Sequence, residues 1–267
     1  MRDRSIITEE KSTIGAGKTG SGASVSVCLA TWNGAQFLAE QIGTVLPQLG
    51  PGDELVVVDD ASSDSTMEIL ERAARESRLA NVRINQNTRN LGAIRTFERA
   101  LALAKGEIVL LCDQDDRWLP AKVERIRGVF AENTSVTLVH SDAQLMDETG
   151  RIYSPSWAAM RPWRPGLLAN IARNTFLGCT LAFRRSSLEY CLPFPAGTPM
   201  HDQWIGLLHT IFGKVAYLGE PLVQYRRHSG NATAEHHASV AQMARWRLNL
   251  IGNLASRWWQ ASRTRQP

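Results

Sequence analysis

No two of the four cysteines, Cys28, Cys112, Cys179 and Cys191, stand at the spacing of a zinc knuckle or a redox pair. That excludes a metal- or disulfide-stapled scaffold and predicts reduced, buried thiols in a cytosolic protein. Long apolar runs are missing too. The opening MRDRSIITEEKSTIGAGKTGSGAS has no apolar core of an export signal, and no later stretch approaches the ~20 apolar residues of a membrane span. The chain is therefore expected to stay in the cytoplasm, and its two Asn-x-Ser/Thr triplets, at Asn133 and Asn231, are read as accidents of composition. Charge of one sign is scarce: 30 Lys and Arg against 26 Asp and Glu leave +4, too little to imply nucleic acid as a partner but suited to anionic substrates. A phosphate loop is also excluded. Gly15-Ala16-Gly17-Lys18-Thr19 ends like one, yet Ser12 stands where its leading glycine belongs and no apolar strand precedes it.

What is present is enough for one sizeable core, since 43% of the 267 residues are hydrophobic. Residues 1–23, rich in Gly, Ser, Thr and charge, read as a tail. From residue 24 apolar runs alternate with amphipathic ones. VSVCLA (25–30), ELVVVDD (54–60), VRINQN (82–87) and EIVLLCD (107–113) read as strands, and residues 35–49, 64–78, 92–104 and 120–131 as the helices between them. The second half is less regular, with strands expected at 137–147 and 178–184, a helix over 200–212, and two short strands separated by a turn in KVAYLGEPLVQYRRH. Residues 235–267 interleave Trp, Leu and Arg at helical spacing and read as an amphipathic extension. The fold class is α/β, a mainly parallel, mixed central sheet covered by helices on both faces.

Ligands on such sheets bind beyond the carboxyl ends of the strands. Three of those ends are polar: Thr31-Trp32-Asn33-Gly34, Asp59-Asp60-Ala61-Ser62-Ser63-Asp64 and Asp113-Gln114-Asp115-Asp116. Three carboxylates within four residues repel one another, and hard oxygen ligands select Mg²⁺ or Mn²⁺ bridging to substrate phosphates. A solvated acidic turn capping the next helix is the plainer alternative. Asp59 can accept hydrogen bonds from a base or a ribose, or simply make a turn. In Met200-His201-Asp202-Gln203-Trp204, the acid at a helix start beside an apolar wall is a candidate general base or an N-cap. Arg226 and Arg227 suit a diphosphate, and His228 could complete a metal shell.

Taken in order, ATWNGAQFLAEQIGTVLPQ, ELVVVDDASSDST, NLGAIRTFERAL, EIVLLCDQDDRWLPAKV, MHDQW and PLVQYRRHSGN resemble glycosyltransferase family 2, over roughly residues 24–231. The resemblance implies a GT-A domain over 24–234 and an inverting transfer from a nucleotide-diphosphate sugar. By that likeness Asp113 and Asp115 serve the metal, Asp115 most directly, with Asp116 in support and His228 as a further ligand. Thr31 and Asp59 contact the nucleoside, and the donor set is completed by Asn33, Asp60, Asn90, Arg95, Gln114, Arg226 and Arg227. Asp202 matches the catalytic base. The family's polymer synthases carry Gln-x-x-Arg-Trp on a membrane-attached chain, whereas this sequence has Gln224-Tyr225-Arg226-Arg227-His228 and no spans, which favours transfer of a single sugar. The DQDD-x-W-L-P-x-K and HDQW wording resembles the rhamnosyltransferase-like branch, implying dTDP-rhamnose and a cell-surface polysaccharide or lipid-linked glycan acceptor. Two rival classes remain: a nucleotidyltransferase, which would release pyrophosphate, and a non-catalytic carbohydrate- or partner-binding module on the same fold. The C-terminal extension has two readings, a peripheral membrane contact or a helix packed on protein.

Overall fold

The computed structural model describes residues 22–79, 81–228 and 240–264. Most of the expected tail, the Gly15–Thr19 stretch and Asn231 lie outside the described residues. The first half alternates as its pattern requires: β1 (Val25–Thr31), α1 (Ala35–Val45), β2 (Glu54–Asp59), α2 (Thr66–Glu76), β3 (Val82–Gln86), α3 (Ala93–Leu103) and β4 (Ile108–Cys112). There follow β5 (Arg117–Trp118), α4 (Lys122–Glu132), β6 (Leu138–Met146), β7 (Ile152–Ser154), α5 (Trp157–Met160) and α6 (Leu167–Ala172). The chain continues through β8 (Leu181–Arg184), α7 (Leu188–Cys191), α8 (His201–Phe212), β9 (Val215–Arg226) and α9 (Val240–Thr264).

Among the described residues nine strands join one sheet in the order β3-β2-β1-β4-β8-β6-β9-β5, with β7 beside β6. β1 to β4 pair in parallel, β8 runs antiparallel to both β4 and β6, and β6 and β9 are parallel again. Period-two alternation builds a core on each face. Val25, Val27, Leu29, Leu55, Val57, Ile108 and Leu110 point into one core, capped by α1 and α4. Cys28, Val56, Val58, Val109 and Leu111 point into the other, with Phe97 of α3, Trp204 of α8 and Leu250 and Leu254 of α9. Each fully buried Val or Leu contributes roughly 1.5–3 kcal/mol. That is why these runs tolerate polar residues only at their ends. All four cysteines are buried and free.

KVAYLGEPLVQYRRH does not split into two strands. β9 is continuous, and its register on β6 jumps from Ser141↔Leu218 to Asp142↔Pro221, so Gly219 and Glu220 bulge out where a turn was expected. The bulge lets one long strand serve two neighbours. It pairs with β6 on both sides of the bulge, and its end also pairs Val223 and Gln224 with Trp118 and Arg117 of β5, straight after the acidic loop.

Candidate active site

Because β1, β2 and β4 are parallel neighbours, their carboxyl ends open at one edge of the sheet. Strain gathers in the loops there. Asn33, Ala61 and Ala121, the non-glycine residues with left-handed backbone among the described residues, follow β1, β2 and β5 respectively. The loops are tied together by side chains. Gln114 clamps the peptide of Trp32, accepting from its N–H at 2.8 Å and donating to its carbonyl at 3.0 Å. A Cβ on Gly34 would come within 2.3 Å of Gln114 Oε1, so glycine is needed for that approach. Asn33 donates its backbone N–H to Ser62 Oγ and accepts from the Ser63 N–H.

The expected nucleoside contacts are in place at the edge but are occupied by one another. Asp59 is fully buried and accepts from Thr31 Oγ1, Ser62 Oγ, Ser62 N and Gln86 Nε2. Asp60 accepts from Asn87 Nδ2, Leu91 N and Gly92 N, and so pins the loop that leads into α3. Asn90 accepts from the same Gly92 N–H. Arg95, one turn into α3, pairs with Glu98 and donates to the Phe194 carbonyl, which ties α3 to the segment after α7.

The acidic loop is crowded. Asp116 is wholly buried, and its Oδ1 accepts from the Arg226 N–H at 2.9 Å. Its Oδ2 has no hydrogen-bond partner of good geometry among the described residues, and the Cys179 thiol, a weak donor, lies against it. Burial and the neighbouring Asp115 and Asp113 push the Asp116 carboxyl well above the usual range. Asp113, only partly covered, is pushed up to about 7 by burial, then by Asp115 and by Asp202. The Asp202 contribution puts the helix carboxylate and the loop carboxylates in one electrostatic neighbourhood.

Asp202 sits in the first turn of α8, 4% exposed, accepting from the Gln203 N–H at 2.5 Å and from Asn174 Nδ2 at 3.2 Å. Burial raises its carboxyl to about 6, against the lowering influence of those two donors. His201 beside it stacks on Phe97 at 4.2 Å, and burial lowers its imidazole to about 4, so it is neutral near pH 7.

From the other side β9 delivers Arg226 and His228. His228 Nε2 lies 2.8 Å from Asp115 Oδ2, bringing together two of the expected metal ligands. Arg226, expected over a diphosphate, is turned inward instead and is 1% exposed. Its Nε donates to the Asp115 carbonyl, Nη1 to the Glu148 carbonyl and Nη2 to Glu40 Oε2, while the guanidinium lies 4.6 Å from the Phe37 ring. It braces the acidic loop rather than reaching past it. Arg227 is half-buried, its N–H on the Met146 carbonyl.

Sequence reasoning missed Lys122. It is wholly buried, donates to the Cys179 carbonyl at 2.7 Å and stands 4.0 Å from the Trp118 ring centre. Burial lowers its ammonium to about 8, and the charges of Asp116 and Asp113 oppose that shift, so a fixed cation lies beneath the acidic loop. The lysine was visible in DQDD-x-W-L-P-x-K, but its burial was not. Asn174 and Glu40, a residue salt-bridged to both Arg117 and Arg226, were signalled by no motif.

The sequence model described as Glycosyl transferase family 2 matches residues 26–192, well over half of the chain. The chain belongs to that family. This family 2 chain is 26% identical over 212 residues to the putative teichuronic acid biosynthesis glycosyltransferase TuaG of Bacillus subtilis, covering 76% of the chain and 78% of TuaG. Among solved structures it resembles S. aureus TarS 1–349 in complex with UDP-GlcNAc, with TM-score 0.66, 20% identity, and 86% of this chain and 66% of TarS 1–349 covered. It also resembles the mannosyltransferase PcManGT of Pyrobaculum calidifontis in complex with GDP-Man and Mn²⁺, with TM-score 0.60, 20% identity, and 92% and 65% covered. The chain thus spans about two thirds of those two, and the likeness establishes the GT-A fold.

The family implies a divalent cation, and the residues fit one. Burial, and after it their mutual repulsion, holds the Asp113 and Asp116 carboxyls above their usual range, an arrangement that a divalent cation would relieve, and Asp115 with His228 offers hard oxygen and imidazole nitrogen side by side. A tighter grouping, with one ligand atom each from Asp113, Asp116 and Cys179 within 4.8 Å, suits the ion less well. Burial and the two aspartates push the Cys179 thiol well up, so it stays protonated, and sulfur is soft where Mg²⁺ and Mn²⁺ are hard.

Proposed function

We propose that the chain is an inverting, metal-dependent glycosyltransferase that moves one sugar from a nucleotide-diphosphate sugar to a hydroxyl of a cell-surface polysaccharide or lipid-linked glycan. The observation that carries the reading is the convergence of Asp202 on the acidic loop: Gly178 packs against Asp202, and the next residue, Cys179, has its sulfur within 4.8 Å of Asp113 and Asp116. In this reading Asp113, Asp115 and His228 hold Mg²⁺ or Mn²⁺, which neutralises the diphosphate charge that develops on departure. The Thr31, Asn33 and Asp59 loops cradle the nucleoside, and Gln114 holds Trp32 at their rim. Arg226 and Lys122 keep the acidic loop in place, while Arg227 supplies charge on the donor side.

Asp202 takes the proton from the acceptor hydroxyl as that oxygen bonds to the anomeric carbon. The bond from that carbon to the diphosphate oxygen breaks on the opposite face, and its electron pair leaves with the nucleoside diphosphate. A carboxyl raised to about 6 is ionised near pH 7 yet more basic than an ordinary aspartate, as a general base should be.

The chemistry of TuaG's name supports a cell-wall polysaccharide acceptor, and the DQDD-x-W-L-P-x-K and HDQW wording makes dTDP-rhamnose the first donor to try. The test is a panel of nucleotide sugars with Mg²⁺ or Mn²⁺, reading nucleoside diphosphate release. Release of pyrophosphate would instead make the chain a nucleotidyltransferase. Binding without turnover across the panel would make it a carbohydrate-binding module.

A further inference from the structure

α9 is apolar on two opposite sides. On one side Leu250 and Leu254 are buried in the core against α6 and α8. Arg257 fastens that side by donating to the Tyr190, Leu192 and Pro193 carbonyls, and Arg247 donates to the Ala172 carbonyl. The other side faces solvent. Leu248, Ile251, Trp258 and Trp259 recur there at helical spacing, 70%, 47%, 55% and 51% exposed, with the Ala255 position between them. The Arg263 guanidinium lies 3.5 Å from the Trp259 ring centre, at the flank of the stripe where Arg245 also projects.

Charge selects the occupant. α9 carries four arginines and no Asp or Glu. α6 beneath it (Leu167–Ala172) carries no acid and is flanked in sequence by Arg164 and Arg173. A second copy would set this basic face against an identical one, which is unfavourable. An anionic surface that also accepts apolar side chains is complementary to it, and indole rings with arginines at their edge are the side chains that settle at a lipid headgroup boundary. Among the described residues no helix is long and apolar enough to cross a membrane, so α9 would lie in the plane of the surface.

We infer that the outer stripe of α9, Leu248, Ile251, Trp258 and Trp259 flanked by Arg245 and Arg263, docks the protein on an anionic phospholipid bilayer. α9 packs on α8, whose first turn carries Asp202, so the docked helix and the proposed catalytic base sit on neighbouring elements. The inference rests on the lipid-linked reading of the acceptor for its purpose. Its test involves no sugar transfer, so the two can fail separately.

Full-length protein is sedimented with vesicles of equimolar phosphatidylglycerol and phosphatidylcholine, and with phosphatidylcholine alone. The expected result is pelleting with the anionic vesicles only, weakened about tenfold or more by Trp258→Ser with Trp259→Ser, and weakened by Arg245→Gln with Arg263→Gln. Thermal midpoint and nucleoside diphosphate binding should be unchanged in each variant. If the double tryptophan variant fails to fold, quenching of wild-type tryptophan fluorescence by brominated phosphatidylglycerol vesicles gives the same answer. Equal pelleting of wild type and variants, absence of quenching, or a lipid-free dimer that the tryptophan substitutions dissolve would overturn the inference, the last by assigning the stripe to self-association.

Discussion

Replacing Asp202 by asparagine should slow the enzyme and strengthen the fold at once. The substitution is nearly isosteric, and the amide oxygen can still accept the Gln203 N–H, so the packing of α8 should survive. The lost function is proton abstraction, typically worth on the order of 10²–10⁴ in rate, or roughly 3–5 kcal/mol of transition-state stabilisation. The stability effect follows from the buried charge. Burial raises the folded-state carboxyl to about 6 from an ordinary 3.8, so below 3.8 it is protonated in both states and costs nothing. Between those values the unfolded chain has released its proton while the folded state still holds it, so stability falls as pH rises from 3.8 to about 6 and is flat above. The full displacement corresponds to roughly 3 kcal/mol above pH 6 as an upper bound, and the variant is relieved of it. In chelator at pH 7.5 the thermal midpoint of Asp202→Asn should lie a few degrees above wild type, and the gap should close near pH 4. In the turnover assay kcat/KM of the wild type should climb with pH to a plateau above about 6, while the residual rate of the variant stays flat. Turnover equal to wild type, or a midpoint lowered at every pH, would refute the reasoning and make Asp202 a structural cap.

Arg226→Met should lower stability by roughly 1–3 kcal/mol, because it removes the donor of the Asp115 and Glu148 carbonyls, while Glu40 keeps its pairing with Arg117; urea denaturation measures this. Arg227→Gln should raise the donor KM, as steady-state kinetics would show. Lys122→Met removes the fixed cation beneath the acidic loop, and the metal-free protein should then become less stable as pH rises through 7, where Asp113 ionises, by more than wild type does; thermal melts in chelator across pH 5–9 test the difference. Gly34→Ala should displace Gln114 from the Trp32 peptide and weaken nucleoside diphosphate binding several-fold with little loss of fold, read by calorimetry.

The doubly covered half of the sheet was legible because its strands are near-continuous apolar runs that end in polar clusters, so β1, β2 and β4 and their loops follow from period and position alone. β5 and the single long β9 were not. A two-residue strand carries no periodicity, and the Gly219-Glu220-Pro221 sequence looks like a turn until its pairing with β6 turns it into a bulge. In the site, the grouping of Asp113, Asp115 and Asp116 after a strand and the place of Asp202 in the first turn of a helix could be read from residue order, and the structure sets His228 beside Asp115. Arg226 misled because an arginine beside a predicted phosphate site looks like a ligand, whereas burial, set by its pairing with Met146 of β6 and by Asp116 on its N–H, makes it a brace. Lys122 escaped for the mirror reason: a lysine one turn into a helix is normally solvated, and only the packing of Trp118 and Cys179 around it reveals otherwise.

The central claim is that the acidic loop becomes a competent diphosphate site when a divalent ion balances it. Isothermal titration of UDP, GDP and dTDP into the full-length protein, with Mn²⁺ and with chelator, tests it directly on wild type and Asp115→Ala. One of the nucleotides should bind the wild type at least tenfold more tightly with Mn²⁺, and the variant should lose that gain. Equal affinity with and without the ion, or a gain that survives in Asp115→Ala, would contradict the account.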